Sequence, residues 1–372
     1  EPLLRGSVVV RIGIDCFEDV EIRSMIKSGE LKGHCDITGK DDVFIYDTNI
    51  ADSTSGIGAT LVQVLDVYTA ESELPPDFPK GSLARIEDIL ATDWSIFSLK
   101  SNEIKVVIME LCKESYPEDS RIFQEPVGIE RLCDQNFRRD ECITTYSTWD
   151  FFMSSIKNRN RFHSNHINLT LLEKLFASPS LQRIIPKDSG EYYRARIGTE
   201  EGYLPGEMGA PPSRLATAGR ANSKGISCLY LAGDEVTTFH EIRARDLDYV
   251  SVGRFVSKRE LKIVDLSSLH KISPFSTDLF DMEWFAVNMN ILKQISKEIA
   301  KPLRRQDSEL DYLPAQYIAD FVKSLGYDGI CYRSTLNEDG LNYAIFDEKK
   351  FKCVEVKVYH IASLSYQTTQ IS

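Results

Sequence analysis

The sequence predicts an α+β protein, a mostly helical first part followed by a mixed β-sheet with embedded helices. Three observations predict it. From about Asn49 to Ser178 the apolar residues recur at helical spacing. After Ile185-Pro186 the pattern turns into short β-like runs broken by turns. Those runs are grouped with helices without regular strand–helix–strand alternation, which argues against a doubly wound parallel sheet. At 372 residues the chain is long enough for two or three domains with cores of their own.

Three regions follow in order. Residues 1–48 carry two turn-like elements, Arg11 to Phe17 and Gly33 to Gly39, around a segment with helical spacing at Val20, Ile22, Met25 and Ile26. Paired Cys-x-x-Cys knuckles would make this a zinc ribbon, because four thiolates can enclose the ion tetrahedrally. Here each turn holds one cysteine, Cys16 and Cys35, while Gly13 and Thr38 stand three residues from them. Two thiolates with His34 do not close a structural site, so the module is expected to pack without metal. Residues 49–187 read as a helical domain. Its helix faces include Ile57, Leu61, Val64 and Leu65, then Ile104, Val107, Ile108 and Leu111. Pro75, Pro76 and Pro79 mark a loop, and residues 168–178 form a last helix. Arg159, Arg161, His163 and His166 have the residue types of a helical ribonuclease, but a basic helix end is the plainer account. Residues 188–372 supply the strands, at 227–232, 262–266, 329–333, 342–346 and 353–361. Two helices lie among them: 281–300, closed by Pro302, and 313–325, with Pro314 near its start and Gly326 as its stop.

Composition narrows the function. The net charge of −12 is uneven, since residues 1–150 hold 29 acidic against 15 basic side chains. Such a half repels phosphate backbones, and no basic run with interleaved aromatics occurs, so a nucleic-acid partner is not expected. A basic protein partner suits that half better. The longest apolar runs fall far short of the roughly 18 residues that span a bilayer, so no membrane association is expected. The amino-terminal ten residues show no secretory signal. Eight irregularly spaced cysteines are too sparse for a disulfide framework, which points to reduced thiols in the cytoplasm.

The informative motifs follow one another from Glu191 to Phe351: Tyr192-Tyr193-Arg194-Ala195-Arg196, Gly219-Arg220-Ala221-Asn222, Tyr230-Leu231-Ala232, Glu241, Tyr332-Arg333-Ser334 and Gly340-Leu341-Asn342. In that order they resemble the RES family, named for an arginine, a glutamate and a serine. The resemblance implies a fold similar to ADP-ribosyltransferase toxins and an enzyme that degrades NAD+ as substrate with no resident cofactor. Tyr193-Arg194 takes the place of the family's aromatic and arginine on the first strand. Gly219 to Asn222 matches its Gly-Arg-aromatic-Asn motif, with Ala221 where an aromatic is usual. The first part, with Cys16-Phe17-Glu18-Asp19 and Gly33-His34-Cys35-Asp36, resembles a zinc-ribbon and helical (HEPN-associated) extension that precedes some RES domains, without two of its cysteines. Many RES toxins pair with an antitoxin, so the resemblance implies a regulatory protein partner, and it also implies homo-oligomers.

The residue types suit that chemistry. In NAD+ the nicotinamide leaving group is already cationic, so no general acid is needed, and the transition state is oxocarbenium-like, as in glycoside hydrolysis. Catalysis then rests on electrostatics and positioning. Glu241 would orient ribose and stabilise the oxocarbenium; Arg194 and Arg220 would hold the diphosphate; Tyr230 would wall the nicotinamide, beside Tyr193; Ser334, Asn342 and Asn222 would complete the pocket. Arg196 is the alternative to Arg194, on the expectation that the pair alternates across a strand so that only one of them faces the cleft. Taken singly, each has a plainer reading: Glu241 as a helical partner for Arg245, Tyr230 as core, Ser334 as a cap. Water or inorganic phosphate would accept the ribosyl group. Two other readings stay open: transfer of ADP-ribose to a macromolecule, and a silent nucleotide-binding or partner-binding module. Transfer to arginine often uses Glu-x-Glu, and Phe239 stands at the first of those positions.

Overall fold

The computed structural model describes residues 11–50, 56–144, 148–276, 280–301, 308–337 and 339–364. Pro302 and the amino-terminal ten residues lie outside the described residues. The chain divides into two compact units, one of Glu1–Tyr146 with His270–Leu292, the other of Ser147–Leu269 with Lys293–Ser372.

In the first unit, β1 (Arg11–Gly13), β2 (Lys32–Gly33) and β3 (Val43–Asp47) form an antiparallel sheet in the order β1-β3-β2. α1 (Val20–Ser28) starts where Asp19 accepts hydrogen bonds from the Glu21 and Ile22 N–H groups, a standard N-cap. Its Ile22 and Ile26 are buried, as the spacing predicts, while Val20 and Met25 are exposed. Helices α2 (Ile57–Leu65), α3 (Ile86–Thr92), α4 (Ser101–Leu111), α5 (Arg121–Gln124) and α6 (Gln135–Glu141) follow, with a short pair, β4 (Thr69–Ala70) and β5 (Val127–Gly128). Leu61, Val64, Ile104, Val107 and Ile108 are buried, and Trp94 donates its indole N–H to Tyr68 at 2.8 Å. The segment His270–Leu292 is tied in by Asn288, fully buried, which accepts from Ile143 N–H and donates to Glu141 C=O, both at 2.8 Å.

The second unit begins with α7 (Trp149–Asn158) and α8 (Leu169–Phe176). Next come β6 (Gln182–Ile185), β7 (Tyr192–Gly198), β8 (Leu229–Ala232), α9 (Glu235–Ile242), β9 (Tyr249–Ser257) and β10 (Leu261–Asp265). Then α10 (Met282–Ala300), whose first half belongs to the first unit, precedes α11 (Leu313–Ser324), β11 (Gly329–Arg333), β12 (Leu341–Ile345) and β13 (Phe351–His360). The strands form one eight-stranded sheet in the order β13-β9-β7-β8-β12-β11-β10-β6. Only β10 and β11 run parallel; the other neighbours are antiparallel. A mixed sheet with interspersed helices is the predicted α+β class.

Leu229, Leu231, Phe255, Ile263, Tyr343 and Ile345 pack one core, and Ala195, Val250 and Val252 pack another with Phe239 and Ile242 of α9. β9 was not among the expected strands, because Gly253 and Arg254 interrupt its valines. Gly253 allows close packing there: a Cβ would lie 3.0 Å from Cys353 Sγ and 3.2 Å from the Phe255 ring, so those side chains would have to shift. No helix of the described residues is long and apolar enough to cross a membrane. Close backbone approach also holds the first unit, where a Cβ on Gly58 of α2 would lie 2.2 Å from Leu111 C=O of α4. Gly58→Ala is therefore expected to force the two helices apart at a cost of about 1–3 kcal/mol, read as a lower midpoint in urea unfolding.

Candidate active site

A cleft of about 310 Å³ opens in the second unit, lined among others by Arg194, Arg220, Tyr230, Glu241, Tyr332 and Asn342. Its origin is a break in the sheet. β7 and β8 pair at one position, Tyr193 opposite Ala232, although β7 pairs with β9 along its whole length. Where the ladder between β7 and β8 stops, a β8 carbonyl needs another donor. Arg194 supplies it, giving an Nη1–H to Tyr230 C=O at 3.1 Å.

Glu241 comes from α9. That helix is started by Asp234, which accepts from Thr237 N–H at 2.7 Å and from the Thr237 hydroxyl at 2.6 Å. It ends at Arg243 in the left-handed conformation, φ 52°. Thr237 and Glu241 stand four residues apart, on one helix face, and both meet the chain around β11 and β12. Asn337 donates to Thr237 Oγ1 at 2.8 Å. Ser334 Oγ and Asn342 Nδ2 both donate to Glu241 Oε1 at 2.7 Å. The donors are buried at 5% exposure each, whereas Glu241 is exposed. Ser334 follows β11 directly, and Asn342 sits on β12 opposite Tyr332. The loop between them needs Gly340, since a Cβ there would lie 2.5 Å from Thr237 Oγ1. Glu241 makes no ion pair with Arg245 among the described residues, so its carboxylate is held by neutral donors at one oxygen and leaves Oε2 for a ligand.

Arg220 is carried by a tight turn in which Gly219 N–H donates to Asn222 C=O at 2.9 Å. Tyr230 fastens this turn, its hydroxyl donating to Asn222 Oδ1 at 2.6 Å and accepting from Ala221 N–H at 2.9 Å. Gly219 has to be glycine, because a Cβ would lie 2.6 Å from both Asn222 Oδ1 and Tyr230 Oη. From α11, buried Gln316 donates to Gly219 C=O at 2.7 Å and to Asn222 C=O at 2.9 Å. The guanidinium of Arg220 then lies 5.1 Å from the Tyr332 ring centre and donates to Ile299 C=O. Burial raises both the Tyr230 and Tyr332 phenols well above their ordinary range, so each stays neutral.

Arg194 is a cation short of counter-charge. Burial first, then the neighbouring Arg196, lowers its pKa, though a guanidinium keeps its proton. Its Nε–H is buried with no hydrogen-bond partner, and neither Arg194 nor Arg220 forms an ion pair among the described residues. Both guanidinium groups are half-buried, so the cleft carries positive charge that no carboxylate among the described residues neutralises. The expectation that strand alternation separates Arg194 from Arg196 is corrected here: residues two apart leave a strand on the same side. What distinguishes them is surroundings, since Arg196 lies outside the cleft, 4.1 Å from the Tyr203 ring centre and donating to Glu207 C=O. Tyr193 lines the cleft and its hydroxyl donates to Glu191 at 2.8 Å, while Asn222 serves the turn and does not line the cleft. Tyr332, Tyr312 and Gln316 were not assigned from the sequence. Tyr332 precedes the Arg333-Ser334 motif directly, and Gln316 is a polar residue on the apolar face of α11, so both carried a signal; Tyr312 carried none. No group of three or more His, Cys, Asp or Glu able to hold a metal gathers among the described residues.

Comparison with known families matches residues 191–369 to the RES domain. This part of the chain is similar to RES domains. The match starts at Glu191, just before Tyr193-Arg194, and takes in all the motifs gathered around the cleft. No curated protein matches the chain. Among solved structures, the crystal structure of the M. tuberculosis MbcT-MbcA toxin-antitoxin complex is similar at 15% identity, over 48% of this chain and 88% of the other, with a TM-score of 0.29. Within these residues the Tyr230 hydroxyl is consumed by the Arg220 turn. Tyr230→Phe would leave Ala221 N–H and Asn222 Oδ1 without that partner, at a cost of about 1–3 kcal/mol; a thermal unfolding midpoint equal to the parent's would show the hydroxyl idle.

Proposed function

We propose that the cleft binds NAD+ and cleaves its nicotinamide–ribose bond, passing the ADP-ribosyl group to water or to inorganic phosphate. The observation that carries this reading is the Glu241 carboxylate, fixed at one oxygen by Ser334 and Asn342, in the same cleft as two guanidinium groups without carboxylate partners. As the bond to the cationic nicotinamide lengthens, positive charge moves onto the ribose. A carboxylate held in place by buried donors stabilises that charge without having to reorganise. Its Oε2 is available to a ribose hydroxyl, which would set the sugar relative to the attacking water or phosphate. Arg194 and Arg220 suit the diphosphate, supplying the charge that the anion lacks and gaining the acceptor that Arg194 Nε–H lacks. Tyr230, half-buried, and Tyr332, buried, are both neutral and offer aromatic surface to the departing ring.

Hydrolysis or phosphorolysis is favoured over transfer to an arginine. In a helix, positions 239 and 241 lie on nearly opposite faces, and Phe239 is committed to packing, edge-on to Tyr359 with ring centres 5.5 Å apart. A second carboxylate two residues before Glu241 has no place in this cleft. The proposal assigns the activity to residues 188–372 and control to residues 1–48 and 49–187, acting in the cytoplasm. Because draining NAD+ harms the cell that makes the enzyme, a restraining protein partner belongs to the same reading.

The test is nicotinamide release from NAD+ by the purified protein, with and without phosphate. Glu241→Ala is expected to lower turnover by about 100-fold or more while the circular dichroism spectrum stays that of the parent. A folded Glu241→Ala protein with full activity would sink the assignment. Arg194→Ala, by contrast, is expected to raise KM for NAD+ more than it lowers kcat, which steady-state kinetics would separate.

A further inference from the structure

Cys16 and Cys35 belong to the first unit, and the chemistry of the cleft makes no use of them. Both are fully buried, and their Sγ atoms stand 3.7 Å apart. Two backbone donors converge on Cys35 Sγ, the Gly13 N–H at 3.1 Å and the Thr38 N–H at 3.4 Å. Gly13 comes so near that a Cβ on it would lie 2.9 Å from Cys35 Cβ. No larger side chain fits there, so the position that would carry a third sulfur is closed. The contact with the Cys16 sulfur holds Cys35 below the ordinary thiol range, with the Thr38 and Gly13 donors adding to the effect. Elsewhere burial does the reverse and pushes Cys112, Cys228 and Cys331 up to about 12 and Cys142 up to about 11.

We propose that Cys16 and Cys35 are a dithiol that a small peroxide converts to a disulfide, a modification site separate from the nucleotide cleft. The two sulfurs already stand in contact and need to close from 3.7 Å to about 2.05 Å. The Cys35 thiolate attacks a peroxide oxygen; the O–O bond breaks, a sulfenic acid forms, and the leaving oxygen takes a proton to become water. Cys16, giving up its proton, attacks the Cys35 sulfur; the S–S bond forms, the S–O bond breaks, and a second water leaves. The dithiol loses two electrons and hydrogen peroxide gains them. Full burial excludes bulky disulfide oxidants and selects a small one. The bond would close the loop that contains α1, stapling the end of β1 to the turn after β2.

The experiment uses the full-length protein, reduced, desalted, exposed to hydrogen peroxide, then alkylated and digested without reductant. The expected result is a cross-linked peptide pair joining Cys16 to Cys35, a higher unfolding temperature, and reversal of both by dithiothreitol. Cys133, exposed, provides the internal control for general thiol oxidation. In Cys16→Ser the same treatment is expected to leave Cys35 as sulfenic or sulfinic acid, with no cross-link. Recovery of both cysteines alkylated after unfolding, while Cys133 is oxidised, would overturn the proposal. So would one chelatable zinc ion per chain in the purified protein.

Discussion

The second unit depends on a sheet that comes apart between β7 and β8. Those strands meet at Tyr193 and Ala232 and then separate, which opens the cleft and strands a β8 carbonyl. Arg194 bridges the gap through Tyr230 C=O, so a charged side chain does the work of a ladder hydrogen bond. The consequence is electrostatic. A half-buried guanidinium beside Arg196 and without a carboxylate partner is costly, and its desolvation lowers its pKa. The feature that shapes the cleft also sets the sign of its charge.

The remaining groups are placed by regular elements, which hold them more exactly than loops would. Glu241 sits on a helix capped by Asp234 and pinned one turn earlier by Thr237, while its donors stand at the end of β11 and on β12. The turn that bears Arg220 is tied on two sides, by the Tyr230 hydroxyl and by Gln316. A Tyr230 phenol with both of its hydrogen-bonding roles taken cannot also serve as a proton donor to substrate. Its part in the cleft is a wall and a fastener.

In the first unit, two turns bring Cys16 and Cys35 together, and backbone N–H groups point at Cys35 sulfur. Gly13 packs directly against Cys35, close enough that a Cβ on it would lie 2.9 Å from Cys35 Cβ. Buried Ile12, Ile22, Ile26 and Phe17 supply the hydrophobic core around that pair.

Periodicity and turn chemistry determined the α+β class, most strands of the eight-stranded sheet and the longer helices. Pro314 and Gly326 bracket α11, Asn168 caps α8, and β11 runs from Gly329 to Arg333, all because such signals act within a few residues. The order of motifs was equally legible, and it led to the RES domain. Tertiary structure alone decided which side chains meet. Nothing local says that Glu241 accepts from Ser334 and Asn342, 93 and 101 residues further on, or that Gln316 grips a turn 94 and 97 residues before it. Nor could spacing tell Arg194 from Arg196, which share one side of their strand; only the place where β8 departs separates a cleft arginine from one that stacks on Tyr203. Side-chain type is a local property of the chain, whereas proximity across the sheet is fixed by long-range pairing and by where that pairing stops.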